Sequence, residues 1–336
     1  MRIWRKPWLA WTAFAVLVLA LFGTGWAVLS NNLYSAAGTV SQYLTALERH
    51  DVKSALSIPG VLPHDADINE ELLRASALGT LTNAYVTGEK AGAGGTRVVT
   101  AHYTVGSGTS ATSGSTSFVM KEATGSWWLV PQWMFAEAPL AMINVNVQHS
   151  TMFTAGTSPL IDIRAVDDAQ AGNLFNASAP FAVLVPQEYS FSITGENVSA
   201  KSSSVFATKP GDAYEATIAV QLNPKIAERV EKQLTTFLDE CVAQEVLQPA
   251  GCPFGYETGN RIVGTPTWSV VTYPTVTITA GDNGWVAANL TATVHISAQV
   301  QSLYDGSITQ VEEDIPANFT LNITVNNDGS LNIVLS

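Results

Sequence analysis

Hydrophobic and polar positions change their spacing several times along this chain, and each change marks an expected element. The first stretch has no polar spacing at all. Trp8 to Leu29, WLAWTAFAVLVLALFGTGWAVL, runs 22 residues without a charge. As a helix it would reach about 33 Å, enough for the hydrocarbon core of a bilayer with slight tilt. Trp4, Trp8 and Trp11 at one end and Trp26 at the other suit the two headgroup interfaces. Arg2, Arg5 and Lys6 precede the stretch, and only Arg49, beside Glu48, follows closely. That bias predicts a cytoplasmic tail at 1–7, a single transmembrane helix at 8–29 held by membrane lipid, and all later residues outside. A cleaved signal peptide ending near Ser35-Ala36-Ala37 is the alternative, and a buried core helix fits less well because the stretch is apolar on every face.

From Ala36 the spacing becomes helical. Val40, Tyr43, Leu44 and Leu47 share one face, and Asp51 can cap a further turn through Leu56. Asp67 with Glu70 reads as a capping box ahead of a second helix, Glu70–Leu78, stopped by Gly79. Strict alternation follows. Over Arg97–Val105, Val99, Ala101, Tyr103 and Val105 fall on one face and Val98, Thr100, His102 and Thr104 on the other. Gly106–Ser117 (GSGTSATSGSTS) reads as a long flexible hairpin loop, and Phe118–Lys121 with Trp127–Val130 as the next hairpin.

Beyond Pro139 the pattern is all strand. Ile143, Val145 and Val147 alternate with Asn144, Asn146 and Gln148, and Leu160–Val166, Phe181–Val185 and Tyr189–Thr194 repeat the device. Residues 139–222 therefore read as a small sandwich-like β-module. Asn223-Pro224 then caps an amphipathic helix carrying Ile226, Val230, Leu234, Phe237, Leu238, Cys241 and Val242 on one face, ended by Pro249 and Gly251. Long strands follow at Thr267–Thr279, Trp285–Tyr304, Gln310–Val325 and Leu331–Leu335. The fold class expected is a single transmembrane helix followed by an α+β, mostly β ectodomain. In it, helix plus antiparallel meander occurs twice, at 34–136 and at 223–336.

The helix VSQYLTALERHDVKSAL, a second helix, and a curled meander ending in GSWWLVPQW resemble the NTF2-like superfamily of cystatin-like α+β rolls over residues 34–136. The resemblance implies helices closing over a curved sheet to form a cone with an apolar mouth. Members include enzymes, ligand carriers and membrane-anchored assembly modules, so it implies a shape and no one activity. The β-module and single-span layout also resemble TcaA-like envelope proteins, without the zinc-ribbon head usual there. That likeness implies an envelope protein or a cell-wall component as partner.

Charge narrows the partners. At a formal −12 the chain lacks the cationic surface that nucleic acid requires. Cys241 and Cys252, in an oxidising compartment, are expected to pair; two thiolates without a nearby histidine leave zinc short of ligands. Asn176, Asn197, Asn289, Asn318 and Asn322 sit in N-x-S/T sequons, read mainly as a by-product of strands rich in Thr and Asn.

Candidate chemistry is sparse. In residues 64–71, HDADINEE, Asp65, Asp67 and Asn69 have the 1-3-5 spacing of a calcium loop, but Glu70 stands where glycine is needed and Ser76 where the bidentate Glu is needed. The acids fit a helix N-terminus better. His50, His64, His102, His149 and His295 form no ligand pair, and neither a nucleophile elbow nor a phosphate-binding glycine loop occurs, so no metal or cofactor is expected. His102 and Tyr103, with His50 or Asp51 near the mouth of a cone, could form an acid–base site. A solvated strand histidine and a helix cap account for them more simply. Trp127, Trp128 and Trp133 could floor a ligand site or pack a roll, and Glu312, Glu313 and Asp314 read as a solvated acidic run. The expected function is a non-enzymatic envelope scaffold or interaction module. Behind it stand a binding protein holding a small apolar ligand in the first roll through His102, Tyr103 and Trp128, and then a roll enzyme using His102.

Overall fold

A computed structural model describes Phe14, Leu17 and residues 35–63, 68–123, 132–326 and 330–336. The first helix, α1 (Ala36–Glu48), starts at Ser35, whose side chain accepts a hydrogen bond from the Gly38 amide. Its helical spacing buries Val40, Tyr43, Leu44 and Leu47 as expected. Asp51 caps the short α2 (Val52–Ser57) through the Ser54 amide. α1, with α2 packed against it, lies on an antiparallel sheet of β1 (Leu81–Ala91), β2 (Arg97–Val105), β3 (Thr112–Glu122) and β4 (Trp133–Phe135), in that spatial order. At Gly60, where the chain returns from α2, φ is +85° and a Cβ would run into the Phe135 backbone. Only glycine permits that approach, which the Phe135 amide completes by donating to the Pro59 carbonyl at 3.0 Å.

The second sheet is mixed. It comprises β5 (Leu140–Gln148), β6 (Met152–Ala155), β7 (Ile161–Asp162), β8 (Ala177–Leu184), β9 (Gln187–Thr194), β10 (Val198–Ala207) and β11 (Ala213–Leu222). Their order is β7-β6-β9-β10-β11-β5-β8, with β11 and β5 parallel and the other pairs antiparallel. A one-turn helix, α3 (Ile163–Val166), leaves the edge of this sheet. The interiors of the first two sheets are continuous: a single buried cluster extends from Ala36 to Val220. Tyr43 joins them, its hydroxyl donating to the Val185 carbonyl at 2.8 Å.

The third unit packs α4 (Lys225–Val242) against β12 (Arg261–Thr272), β14 (Trp285–Gln301), β15 (Ile308–Val325) and β16 (Leu331–Leu335), with β13 (Thr279–Ala280) paired to β14. Ile226, Val230, Leu234, Leu238 and Cys241 face the alternating residues of the sheet, among them Ala292, Val294, Ile296 and Leu321. Of the buried members of this second core one, Phe175, comes from the preceding unit, and Leu222 at the end of β11 packs against it.

Several expectations need correcting. Among the described residues no helix is long and apolar enough to cross a membrane. The longest, α4, is amphipathic and carries Lys225, Glu228, Arg229, Glu231 and Lys232. The expected single transmembrane helix and single-pass membrane placement are corrected accordingly: no helix of the described residues supports them. The stretch 8–29 itself lies outside the described residues apart from Phe14 and Leu17. The fold class is corrected too, from membrane-anchored α+β to mostly β, with sixteen strands among the described residues.

Locally, Glu70–Leu78 is not an α-helix but a passage ending in a 3₁₀ turn, Ala75–Ala77. Its backbone serves the second sheet instead of an i−4 ladder. The Ala182 amide donates to Asn69 O, the Thr157 amide to Ser76 O, and the Gly79 amide to Glu188 O. The loop expected at Gly106–Ser117 shortens, because Thr112–Ser117 pairs in register with β2. Leu160–Val166 splits into β7 and α3, since the Asp162 side chain accepts from the Arg164 amide and starts the helical turn. Asn223 does not cap α4 with its side chain, which reaches back to the Gly195 and Glu196 carbonyls. The third sheet opens earlier than Thr267, at Arg261, and its first strand ends at Thr272.

Candidate functional site

The expected site residues do not converge. His102 and Tyr103 are neighbours on β2 and therefore point to opposite faces. His102 is exposed and stacks on Tyr85 of β1 with ring centroids 6.0 Å apart. Tyr103 points inward, and its hydroxyl pairs with Thr116 Oγ1 at 2.7 Å, which in turn donates to the Thr208 carbonyl. Burial raises the Tyr103 pKa, partly offset by Thr116. Trp127 and Trp128 lie outside the described residues, as do His64, Asp65 and Asp67 of the acidic stretch. His50, in the left-handed region at φ 55°, bonds the Gly79 carbonyl through Nε2 at 2.9 Å, and Asp51 is committed to its cap. Among the described residues no acid–base pair forms around His102.

The interior beneath that sheet is filled by aromatic rings. Tyr43, Phe118 and Phe135 pack edge to face at centroid distances of 6.0, 5.2 and 5.8 Å. Tyr43 is fully buried. Burial drives its phenol pKa well above the ordinary value, and that of Tyr189, whose hydroxyl clamps Leu184 through both its amide and its carbonyl, shifts the same way.

Two features escaped the sequence reading. The first lies on the outer face of the third sheet. His295 on β14 stands opposite Asp314 on β15, with Nδ1 2.6 Å from the Asp314 carboxylate and Nε2 2.7 Å from Glu312. Ser297 and Gln310 also donate to Glu312. The two carboxylates, Asp314 first, raise the His295 pKa. Two of the three acids read as a solvated run thus hold one histidine; only the strand register, which is not visible in one sequence, brings them together. Among the described residues no group of His, Cys, Asp or Glu could hold a metal ion.

The second is a cleft of about 670 Å³ between the second and third sheets. Its inner wall is aromatic: Phe175, Trp285 and His149 lie within 5.4 Å of one another by ring centroid. His149 is fixed by its ring, with Nδ1 3.0 Å from the Val220 carbonyl, and by its amide, which donates to Asn176. Leu160 and Leu174 stand on the rim, 50% and 71% exposed. Cys241 and Cys252, meanwhile, form the expected disulfide, with a Cα separation of 5.8 Å. In comparisons with protein-family models, curated proteins and solved structures, nothing matches the chain significantly.

Proposed function

We propose that this protein is a non-enzymatic interaction module that works through its surface. The observation that carries the reading is the ring packing among the described residues of the first unit. An NTF2-like roll that carries a ligand or runs a reaction needs a hollow cone, and here Tyr43, Phe118 and Phe135 occupy that space. The order of helices followed by a curled antiparallel meander supports the roll architecture, and its repetition around α4 supports a second one. The surface offers a contact point at the far end of the β14–β15 hairpin. There Leu303, Tyr304 and Ile308 are 73%, 99% and 58% exposed, side chains a folded monomer has no reason to hold in water together. The partner on this reading is a protein or wall component of the oxidising compartment in which the disulfide is kept.

Cross-linking in the native host tests it. Leu303→Ser with Tyr304→Ser should abolish a specific adduct without moving the denaturation midpoint, whereas His102→Ala should keep both the adduct and the cellular role. Loss of that role in His102→Ala at unchanged stability would overturn the proposal.

A further inference from the structure

The runner-up expectation placed an apolar ligand in the first roll, where Tyr43, Phe118 and Phe135 pack against one another. The space lies elsewhere, and we infer that the cleft between the second and third sheets is a binding site for an uncharged, amphipathic small molecule. This goes beyond surface interaction and rests on separate observations.

Size comes first. About 670 Å³ falls within the roughly 300–1,000 Å³ of small-molecule sites. Charge decides the class. The chain as a whole is −12, yet the cleft's own charged side chains are already matched. Arg164 is held by Asp162, with Nη2 to carboxylate 2.7 Å, and Glu196 is held by Arg229 at 3.0 Å. Burial alone would raise the Asp162 pKa, but the hydrogen bonds from Arg164 outweigh it and keep the carboxylate ionised. A charged ligand would have to break the half-buried Arg164–Asp162 pair or shed its water without a counterion, which is costly in a partly enclosed site; the exposed Arg229–Glu196 pair contributes little to this. A neutral one would not. The rest of the lining is two-sided, as an amphipathic molecule requires. Phe175 and Trp285 supply an apolar wall, Leu160 and Leu174 an apolar rim, and polar residues, Thr194 and Asn283 among them, lie along the same lining. The exposure of the two leucines is then accounted for: they are the side chains that a bound molecule would cover.

Nile red, a neutral dye whose emission rises and shifts to the blue in apolar surroundings, is the probe. Titrated into the full chain it should bind saturably with one site per molecule. Leu160→Glu and Leu174→Glu, each placing an unmatched carboxylate on the rim of the cleft, should weaken binding about tenfold or more. Both positions are solvent-facing, so the variants should keep the wild-type denaturation midpoint. Tyr304→Ser, at the distant hairpin end, should leave dye affinity unchanged while weakening the partner adduct. Failure here therefore differs from failure of the surface reading. Non-saturable dye binding, unchanged affinity in both glutamate variants, or an equal loss in Tyr304→Ser would overturn the assignment.

Discussion

Replacing Tyr43 tests the filled interior on which the functional reading depends. The side chain has no exposure, packs its ring on Phe118 and Phe135, and spends its hydroxyl on the Val185 carbonyl. Two substitutions separate these contributions. Tyr43→Phe keeps the ring and removes the donor, leaving a buried carbonyl with one partner fewer, which should cost about 1–3 kcal/mol. Tyr43→Ala removes the ring as well, and a large aromatic deleted from a close-packed interior costs about 3–5 kcal/mol. The difference between the variants, about 2 kcal/mol, is the packing share. Urea denaturation read by far-ultraviolet circular dichroism measures both, with an unchanged m-value showing that the denatured state has not altered. If Tyr43→Ala loses less than about 1 kcal/mol, the ring is not filling a packed space and the interior can accept a ligand after all.

Three further outcomes are expected. The raised pKa values of Tyr43 and Tyr189 make their stabilisation whole below the unfolded value near 10; it falls as pH rises past that point, because only the unfolded chain can ionise them. Denaturation midpoints should thus drop above about pH 10, and less steeply in Tyr189→Phe. His295 works in the same sense at lower pH: its contribution is full below about 6.5 and fades as pH climbs through the raised folded value, so an NMR titration should show that ring protonating above the ordinary imidazole value, and Asp314→Asn should lower its midpoint. Replacing Cys241 and Cys252 together by Ala should destabilise the third unit by about 3 kcal/mol, the chain-entropy value for a loop of this length, and a loss under about 0.5 kcal/mol would show that the bridge does not constrain the unfolded chain.

Where apolar spacing was regular, the sequence announced its elements. The faces of β2, the buried row Ile143, Val145 and Val147, and the five buried positions of α4 are all where periodicity put them. Strands that broke the period were invisible. In β1 (LTNAYVTGEKA), Asn83 at φ 53° and two register shifts disrupt alternation, and in β10 (VSAKSSSVFA) a shift between Ala200 and Ser203 does the same. Thr112–Ser117 has the composition of a linker, yet pairing with β2 fixes it as strand. Glu70–Leu78 erred the other way, its helical spacing losing to hydrogen bonds offered by a sheet more than seventy residues further on. The cleft and the His295 cluster depend on which strands lie side by side. No local pattern carries that information.

Phe175 gives the three-sheet arrangement a property that chain order hides. It belongs by sequence to the region before β8, but its ring is 5% exposed within the core completed by α4 and the last strands, edge-on to Trp285 at 5.4 Å. Cutting the chain at Leu222–Pro224 would therefore divide a shared interior. One fragment would carry Phe175 as an uncovered hydrophobe, the other a hole beside Trp285, and each would be drawn to the missing half. Separately produced halves should then reassociate, making the molecule a natural two-part complementation pair whose seam centres on one aromatic plug, with the His149–Trp285 ring contact and the Arg229–Glu196 pair beside it.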